Sequence, residues 1–412
     1  MAAHASSDER RKLEAVLVAT FFVRFAFGIT IVVFASYITH HSAGLSGNDV
    51  GVAGVVSAMA PLGEFSTVMF SGVLADRYGR WPVLYAGIGG AALLFGLVAL
   101  TRDVYALGAI NFLFGVGSGA ILAASLAVIG DRAESSHRGY EMGRFDALNL
   151  FGWTAGIGLG LFLLGVLPNV QLDLVFLVGA AALACGLGAT YRLVRGLEVY
   201  HGAREYSVAA ILSHVFRKSV LLVTVPWLVI YVLIGTALVF IGPAASGSGI
   251  STTWLSAALV GGGLLLVVSQ PYYGGLADRF GRTRLMTVGA TGFVAAMGCA
   301  CLLVAYGPQI PILGGLGVSV VVALAYGPAA LAALADLSRE INRATTMAIY
   351  SLTISLGMVL GIYGSTTLYS RFQNDGLYAF FGSVALALAL LTLGRIWETR
   401  SVSRPAPTTP AR

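Results

Sequence analysis

Charged residues are scarce in this sequence. They make up 11% of its 412 residues, whereas 57% of the residues are hydrophobic. A soluble domain carries about 25% charged residues, so this chain lacks the charge needed to cover a water-facing surface. A bilayer core requires about 20 apolar residues per helix, and runs of this length recur along the whole chain. The composition therefore excludes a soluble fold and indicates an integral membrane protein.

Cysteine is also rare, and clusters of reactive side chains are missing. The three cysteines, Cys185, Cys299 and Cys301, all lie in apolar segments. An odd number at such positions predicts free thiols, not a disulfide framework. The sequence offers no nucleophile paired with a base, no metal cluster and no soluble domain. These absences argue against an enzyme or a receptor and predict that no cofactor is bound.

Long basic stretches are absent as well. The net charge is +6, but the basic residues fall in short loops, which argues against nucleic acid as a partner. Of the 25 Lys and Arg residues, 22 lie in the two tails or in loops that follow even-numbered helices. By the positive-inside rule we expect both termini to be cytoplasmic. Arg102 and Arg371 lie on the opposite side, and Arg24 lies within the first apolar run.

The apolar runs divide the chain into two halves. Each run is expected to be a helix, because an unpaired backbone group in hydrocarbon costs several kcal/mol. We therefore predict an all-α integral membrane protein with twelve transmembrane helices in two six-helix bundles, 1–195 and 219–397, with a cytoplasmic linker at 196–218 and a cytoplasmic tail at 398–412. The first run lacks a cleavage signal and should remain as a helix, in a plasma membrane that is expected to be prokaryotic. The runs lie at about 13–38, 48–71, 81–101, 104–130, 140–167, 171–194, 219–242, 251–273, 284–306, 309–335, 344–369 and 376–396.

The two halves repeat each other in sequence. GVLADRYGR at 72–80 returns as GGLADRFGR at 274–282, with seven identities at an offset of 202 residues. At an offset of 205, Asp131 and Arg138 return as Asp336 and Arg343, and Gly152 and Gly156 return as Gly357 and Gly361. Parallel repeats of this kind are typical of transporters whose substrate site lies near mid-membrane, between the halves.

In its helix count, its six-plus-six repeat and its doubled G-x-L-A-D-R-x-G-R loop, the sequence resembles the major facilitator superfamily over about residues 13–396. The resemblance implies two helical bundles that rock around a central cavity and expose it alternately to the two sides. It implies a small-molecule substrate, a lipid bilayer and a monomer. Helix four has Asn111 where many proton-coupled members have arginine, and helix five lacks the proline of the common drug antiporters.

The repeated loops are candidates for a cytoplasmic gate. Their glycines are expected to allow sharp turns, and Asp76 and Asp278 are placed to cap a helix N-terminus. Arg80 could pair with Asp131, and Arg282 with Asp336. In the resembled family the first-half aspartate docks on helix eleven in one conformation only; alternatively, these residues only end helices and fix the topology. The candidate gating residues are Gly72, Asp76, Arg77, Gly79, Arg80, Asp131, Arg138, Gly274, Asp278, Arg279, Gly281, Arg282, Asp336 and Arg343.

Two ionisable residues lie deep in membrane helices and are the main functional candidates. A charge at such depth costs at least about 2.5 kcal/mol, so it is rarely present without a role. Arg24 and Glu64 both lie about 16–18 Å from the cytoplasmic side at 1.5 Å per residue. They could form an ion pair that serves structure, Glu64 could exchange protons, or Arg24 could hold an anionic group of the substrate.

The other candidate substrate or coupling residues are polar or aromatic. Asp146 lies near the cytoplasmic end of helix five and could be interfacial or cavity-facing. Each aromatic could serve packing or binding, and Tyr326 precedes a proline that should break its helix at mid-membrane. The full candidate set is Arg24, Glu64, Asn111, Asp146, Asn149, Trp227, Tyr231, Tyr326 and Tyr350.

The sequence therefore predicts a secondary transporter that works by alternating access. Proton coupling through Glu64 is the leading hypothesis. The alternatives are a facilitator or exchanger of organic anions centred on Arg24, and multidrug efflux. The substrate and the direction of transport stay open.

Overall fold

The computed structural model describes residues 7–41, 50–132, 138–167, 171–195, 216–248, 252–306, 309–337 and 343–402. In these ranges the chain is almost entirely helical, as apolar segments in a bilayer must be. The linker predicted at 196–218 lies mostly outside them. The helices are α1 Ser7–His41, α2 Val50–Tyr78, α3 Arg80–Leu100, α4 Val104–Arg132, α5 Arg138–Val166, α6 Asp173–Val194, α7 Lys218–Ser248, α8 Thr252–Phe280, α9 Arg282–Tyr306, α10 Ile310–Ala323, α11 Tyr326–Leu337 and α12 Arg343–Val402.

Many of these helices are long and apolar enough to cross a bilayer. Eight stretches of the described chain satisfy both criteria, and two shorter apolar helices occur at Val52–Val68 and Tyr378–Gly394. The all-α membrane fold is confirmed, and the elements are consistent with twelve crossings. The eight stretches are Arg10–Phe34, Arg80–Leu100, Val104–Ile129, Gly143–Val166, Asp173–Val194, Lys218–Thr236, Ile310–Leu334 and Ile349–Phe372.

Three of the predicted crossings do not correspond to single, separate helices. The tenth is interrupted at residues 324–325, between α10 and α11, just ahead of Pro328, which has no backbone N–H to continue the helical ladder. The eleventh and twelfth join in α12, which has 60 residues. A β-carbon at Gly364 would lie 2.9 Å from the ring of Phe380. Residues 16 apart in a straight helix are separated by about 24 Å, so α12 folds back on itself and crosses twice.

The short turns of the repeated loop each depend on one glycine. Gly79 between α2 and α3 has φ 92°, and Gly281 between α8 and α9 has φ 91°. Only glycine adopts this region without strain, so both turns need it. The prediction was wrong for Gly72 and Gly274, which lie inside α2 and α8, because both helices continue until the residue before the turn. We call the end of the bundle that carries these two turns the signature end.

Equivalent glycines pack equivalent helices in the two halves. In the first half, β-carbons at Gly152 and Gly156 of α5 would collide with the backbone of α1. In the second half, β-carbons at Gly357 and Gly361 of α12 would collide with α7. Small residues at these positions allow close helix approach without a hydrophobic driving force. The repeat seen in sequence is therefore also a repeat in packing.

The seam between the halves is formed mainly by two helix pairs, α5 with α8 and α2 with α12, and α4 also contacts α12 while α5 also contacts α11. At the signature end, a β-carbon at Gly143 would lie 2.8 Å from the carbonyl oxygen of Gln270. Toward the opposite end, a β-carbon at Gly54 would lie 2.9 Å from the side chain of Thr366. The halves therefore meet along most of the length of these helices, and any buried polar group on the seam must find its partners there.

The contacts of Arg102 account for its position at the opposite end of the bundle. Its guanidinium donates two hydrogen bonds to the Asp173 carboxylate, at 2.7 and 2.6 Å, and also contacts the Tyr37 hydroxyl. These bonds to Asp173 raise the pKa of Arg102 further above its ordinary value, so the charge is permanent. The cluster links the end of α1, the α3–α4 turn and the start of α6, which gives this basic residue a structural role away from the basic side.

Candidate functional site

Arg24 and Glu64 form a bidentate ion pair in the middle of the first half. Arg24 Nη1 donates to Glu64 Oε2 and Nη2 donates to Oε1, both at 3.3 Å. Both side chains are almost completely buried, with 2% and 1% exposed. The equal depth calculated from the sequence is therefore confirmed by direct contact, because α1 and α2 run in opposite directions and bring these positions together.

Two hydroxyl groups complete the coordination of Glu64. Ser118 on α4 donates to Oε2 at 3.1 Å, and Ser351 on α12 donates to Oε1 at 2.7 Å. Each carboxylate oxygen thus accepts one bond from the guanidinium and one from a hydroxyl. Ser118 belongs to the same half as Glu64, whereas Ser351 belongs to the other half. The side chain of Glu64 therefore bonds across the seam.

A chain of hydrogen bonds extends from Arg24 to a second buried carboxylate. Arg24 Nε donates to Asn149 Oδ1 at 2.8 Å, and Asn149 Nδ2 donates to the Tyr350 hydroxyl at 3.5 Å. The Tyr350 hydroxyl in turn donates to Asp146 Oδ1 at 2.9 Å. Asp146 is 4% exposed and so is buried within the protein, because α8 and α11 pack over its end of α5 and Tyr350 of α12 bonds to it.

The guanidinium of Arg24 also rests on aromatic faces. Its Cζ atom lies 5.3 Å from the ring centroid of Phe27 and 5.8 Å from that of Trp153. The two rings stack on each other with an interplanar angle of 7°. Cation–π contact favours the charge of Arg24 in a dry environment. Trp153 Nε1 is a buried donor without a hydrogen-bond partner in the described structure.

The aromatic candidates of the second half form a single cluster. Trp227 meets Tyr350 edge to face at 4.8 Å between centroids, and lies 6.2 Å from Tyr326 and 6.4 Å from Tyr231. The Tyr326 hydroxyl donates to the backbone oxygen of Val223 at 3.0 Å, which fixes α11 against α7. Tyr350 joins the polar chain through Asn149 and Asp146, so this cluster borders the network on the side of the second half.

Asn111 lies apart from this network. Its Nδ2 donates to the backbone oxygens of Val56 at 2.9 Å and Ser57 at 3.4 Å. The amide therefore joins α4 to α2, in the half of the membrane nearer the opposite end. A role for Asn111 in transport stays a prediction.

The loop residues at the signature end form the charged contacts that the sequence predicted for the second half. Arg282 forms an ion pair with Asp336, and its Nη2 donates to Asp278 at 3.2 Å. Asp278 lies in the last turn of α8 and binds this arginine instead of the predicted cap. In the first half, Arg80 donates to the backbone oxygen of Ala127 at 3.4 Å. The side chains of Asp76, Asp131, Arg138 and Arg343 lie outside the described residues.

Three polar side chains of the network were not predicted from the sequence. Ser118, Ser351 and Trp153 are common residue types in helices, and nothing in their local pattern distinguishes them. A signal existed for Ser351, because it is the repeat mate of Asp146 at an offset of 205. For Ser118 the signal was its spacing of seven residues from Asn111, which places both on one face of α4.

A two-half helical membrane protein with an ion-pair network where its halves meet has the architecture of a membrane transporter. The sequence profile of the Major Facilitator Superfamily matches residues 16–267 and again 237–411. The chain therefore belongs to the major facilitator superfamily, whose members are transporters and not enzymes.

Individual relatives agree with this assignment. The chain is similar to the class C tetracycline resistance protein of Escherichia coli, with 26% identity over 379 residues, 85% of this chain and 88% of that protein. Its fold is similar to that of the proton:xylose symporter XylE, with TM-score 0.73, 17% identity and 96% of each chain covered. It is also similar to that of the human organic anion transporter MFSD10, with TM-score 0.67, 16% identity, 93% of this chain and 99% of that chain.

Proposed function

We propose that the protein is a secondary active transporter that moves a small solute by alternating access, coupled to protons through Glu64. The observation that carries the proposal is the bond from Ser351 of the second half to Glu64 of the first. Because this bond crosses the seam, a change of charge at Glu64 acts on the contact between the halves. A proton or a solute that binds differently in two arrangements shifts their populations.

The geometry of the pair supports its reversible opening. Charge-assisted N–H···O bonds are typically about 2.7–2.9 Å long, and both bonds between Arg24 and Glu64 measure 3.3 Å. Protonation of Glu64 would remove its attraction for Arg24 and weaken the bond that Ser351 donates. Arg24 would then be available to the solute, and α2 would be released from α12.

A second candidate is a facilitator or exchanger of organic anions centred on Arg24. A guanidinium matches a carboxylate or phosphate with two parallel bonds. Trp153 beside it brings a buried N–H that has no partner in the described structure. In this candidate the solute anion replaces Glu64 at Arg24, and no proton moves. Multidrug efflux is a further candidate, supported by the tetracycline resistance relative and by the flat faces of the Trp227 cluster.

In this proposal the signature end faces the cytoplasm. The distribution of basic residues supports cytoplasmic termini, and the bacterial relative supports a prokaryotic plasma membrane. The ion pairs of Arg282, which lie within the second half, would fix α8, α9 and α11 at the signature end in one state and break in the other. The transporter would work as a monomer.

The first test identifies the solute class. Purified protein is heated with carboxylates and phosphates, with neutral sugars, or with lipophilic cations. A ligand present at 100 times its Kd adds about 2.7 kcal/mol of stability by mass action, so binding is visible without a transport assay. If carboxylates or phosphates stabilise the wild-type protein but not Arg24→Ala, the organic-anion candidate is supported. If lipophilic cations stabilise the wild-type protein but not Glu64→Gln, drug efflux is supported.

The second test concerns coupling. In liposomes with a pH gradient, Glu64→Gln is expected to lose solute accumulation while exchange at equal pH continues. Ser118→Ala is the matched control, because it removes a neighbour of the same carboxylate and leaves the carboxylate in place. Accumulation that persists in Glu64→Gln would remove Glu64 from the coupling mechanism.

A further inference from the structure

The side chain of Gln270 leaves a buried acceptor without a donor. Gln270 lies on α8 and is 2% exposed, and its Oε1 atom has no hydrogen-bond partner in the described structure. An unsatisfied buried polar atom is destabilising, so nearly all such atoms are paired. Its position on the seam suggests that the missing donor comes from the other half.

Asp146 Oδ2 and Gln270 Oε1 both lie close to Gly327, in the first turn of α11. Gly327 has no side chain that would occupy the space beside these two oxygens. A β-carbon at Gly327 would lie 3.0 Å from Asp146 Oδ2 and 3.7 Å from Gln270 Oε1. Two acceptor oxygens therefore border one small space. Facing acceptors repel each other unless a proton is shared between them.

Asp146 is the group that would take this proton, because no positively charged side chain in the described part of the network is left to pair with it. Arg24 is the one cation among the described residues of the network, and it is bound to Glu64 at both terminal nitrogens. Asp146 is hydrogen-bonded to two neutral side chains, the hydroxyl of Tyr350 and the amide of Asn149. An ionised buried carboxylate without a paired cation is costly, and such groups take up a proton instead.

We propose that Asp146 and Gln270 form a second proton-binding site, in which protonated Asp146 Oδ2 donates a hydrogen bond to Gln270 Oε1 across the seam. The inference deepens the proposed function, since it rests on coupling to protons. Asp146 belongs to the first half and Gln270 to the second. Uptake of one proton at the carboxylate therefore adds a bond between α5 and α8, and loss of the proton removes it.

The titratable and charged groups around Asp146 are few. Arg24 on α1 reaches it through Asn149, and Glu64 on α2 acts on it through Arg24. Tyr350 on α12 touches it, and Tyr231 on α7 lies nearby. Arg144 is two positions earlier on α5, about 200° around the helix, and so faces away. The described residues of α8 and α11 facing this carboxylate contribute Gln270 and Gly327, which are neutral.

The site lies closer to the signature end than the Arg24–Glu64 pair. Asp146 is eight residues from the start of α5, which corresponds to about 12 Å along the helix. The hydrogen-bonded chain through Tyr350 and Asn149 joins it to Arg24. Asp146 is therefore the first buried carboxylate that a proton from this end would reach. In the protonated state, the added bond holds the signature end closed.

The first experiment detects the protonated acid directly. Infrared difference spectra of the purified protein between acid and alkaline pH contain the carbonyl stretching band of each carboxylic acid that titrates. The band of a buried acid is expected to disappear in Asp146→Asn and to remain in Glu64→Gln. If every band of the wild-type protein persists unchanged in Asp146→Asn, the proposal is overturned; a band that is lost only in Glu64→Gln belongs to Glu64.

The second experiment tests Gln270 and leaves both carboxylates in place. If Oε1 accepts from protonated Asp146, Gln270→Leu removes stabilisation of the acid form only. The midpoint of the infrared titration should then move to lower pH by about one unit, the equivalent of one hydrogen bond. A move to higher pH would mean that Gln270 donates to the ionised carboxylate and would overturn the proposal. Sodium that abolishes the band at constant pH would assign the site to a metal cation and overturn it as well.

Failure of this inference can be distinguished from failure of the proposed function. Wild-type protein that shows no accumulation driven by a pH gradient would contradict proton coupling as a whole. Wild-type protein that accumulates solute, while Asp146→Asn accumulates it equally well, would contradict the second site alone. Accumulation lost in Asp146→Asn together with the infrared band would support both.

Discussion

At the scale of single residues, the pairing of Arg24 with Glu64 determines what each can do. The pair is buried, and removing one member leaves the other charged and without compensation, at a cost of about 3–5 kcal/mol. Arg24→Gln is therefore expected to lower the unfolding temperature more than the double variant Arg24→Gln with Glu64→Gln, which leaves no charge behind. Thermal unfolding in detergent measures this. If the double variant is the least stable of the set, the pair is not compensating a buried charge.

The two serines that bind Glu64 allow a matched comparison. Ser351→Ala removes a bond between the halves, whereas Ser118→Ala removes a bond within one half. A hydrogen bond to a charged group contributes about 1.5–3 kcal/mol, so Ser351→Ala should change the ratio of inward-facing to outward-facing protein by about tenfold or more. Labelling of single cysteines at the two ends reports that ratio. Equal effects of the two variants would contradict a seam role for Ser351.

At the scale of helices, the repeat is more complete in packing than in sequence. Gly152 packs against Arg24 and Gly357 packs against Tyr231, so α1 and α7 are equivalent at an offset of 207 residues. Gly28 and Gly235 correspond at the same offset, and both lie against the partner helix of their own half. The side chains around these glycines differ, and for that reason the sequence revealed the repeat only for the second to fifth helices of each half.

Close helix packing predicts that a Gly→Ala substitution lowers the unfolding temperature only where the glycine lies against another helix. A β-carbon at Gly156 would collide with the backbone oxygen of Phe25, while one at Gly90 of α3 would meet nothing within 4 Å. Overpacking typically costs about 1–3 kcal/mol. Gly156→Ala should lower the unfolding temperature clearly, and Gly90→Ala should leave it close to wild type. Comparable losses in both would mean that α1 and α5 are not in close contact.

The signature end offers a prediction about the balance of states. Arg282 holds both Asp278 of α8 and Asp336 of α11, whereas its neighbour Arg279 is exposed. Arg282→Ala should therefore change cysteine accessibility at this end, and Arg279→Ala should not. Both should rank a panel of solutes as wild type does, because neither residue is near the Arg24 network. A changed ranking in Arg282→Ala would contradict a purely gating role.

At the scale of the whole molecule, the sequence predicted what depends on bulk properties of the chain. Hydrophobic runs gave the membrane fold, and helix direction with a constant rise per residue brought Arg24 and Glu64 to one depth. The burial of Asp146 could not be derived, because it depends on how α8, α11 and Tyr350 of α12 cover its end of α5. The bonds from Ser118 and Ser351 depend on side-chain direction, which spacing alone does not provide. The doubling back of α12 required contacts that are distant in sequence.

The two halves are similar in helix packing but differ in the side chains that they contribute to the central network. The repeat mate of Arg24 is Tyr231, that of Glu64 is Leu266, and that of Asp146 is Ser351. Among the described residues, the charges of the central network therefore all belong to the first half. The second half contributes hydroxyl groups, the amide of Gln270 and the Trp227 cluster.

This asymmetry bears on how such a molecule can be re-engineered. A library of substitutions restricted to the aromatic side chains of α7 and α11 would alter the surface on which we propose that a solute binds, and would leave Arg24, Glu64 and Asp146 in place. Selection from that library is expected to yield proteins that carry new solutes and still respond to the same gradient. In a transporter with its charges divided between both repeats, the same library would disturb cargo and driving force together.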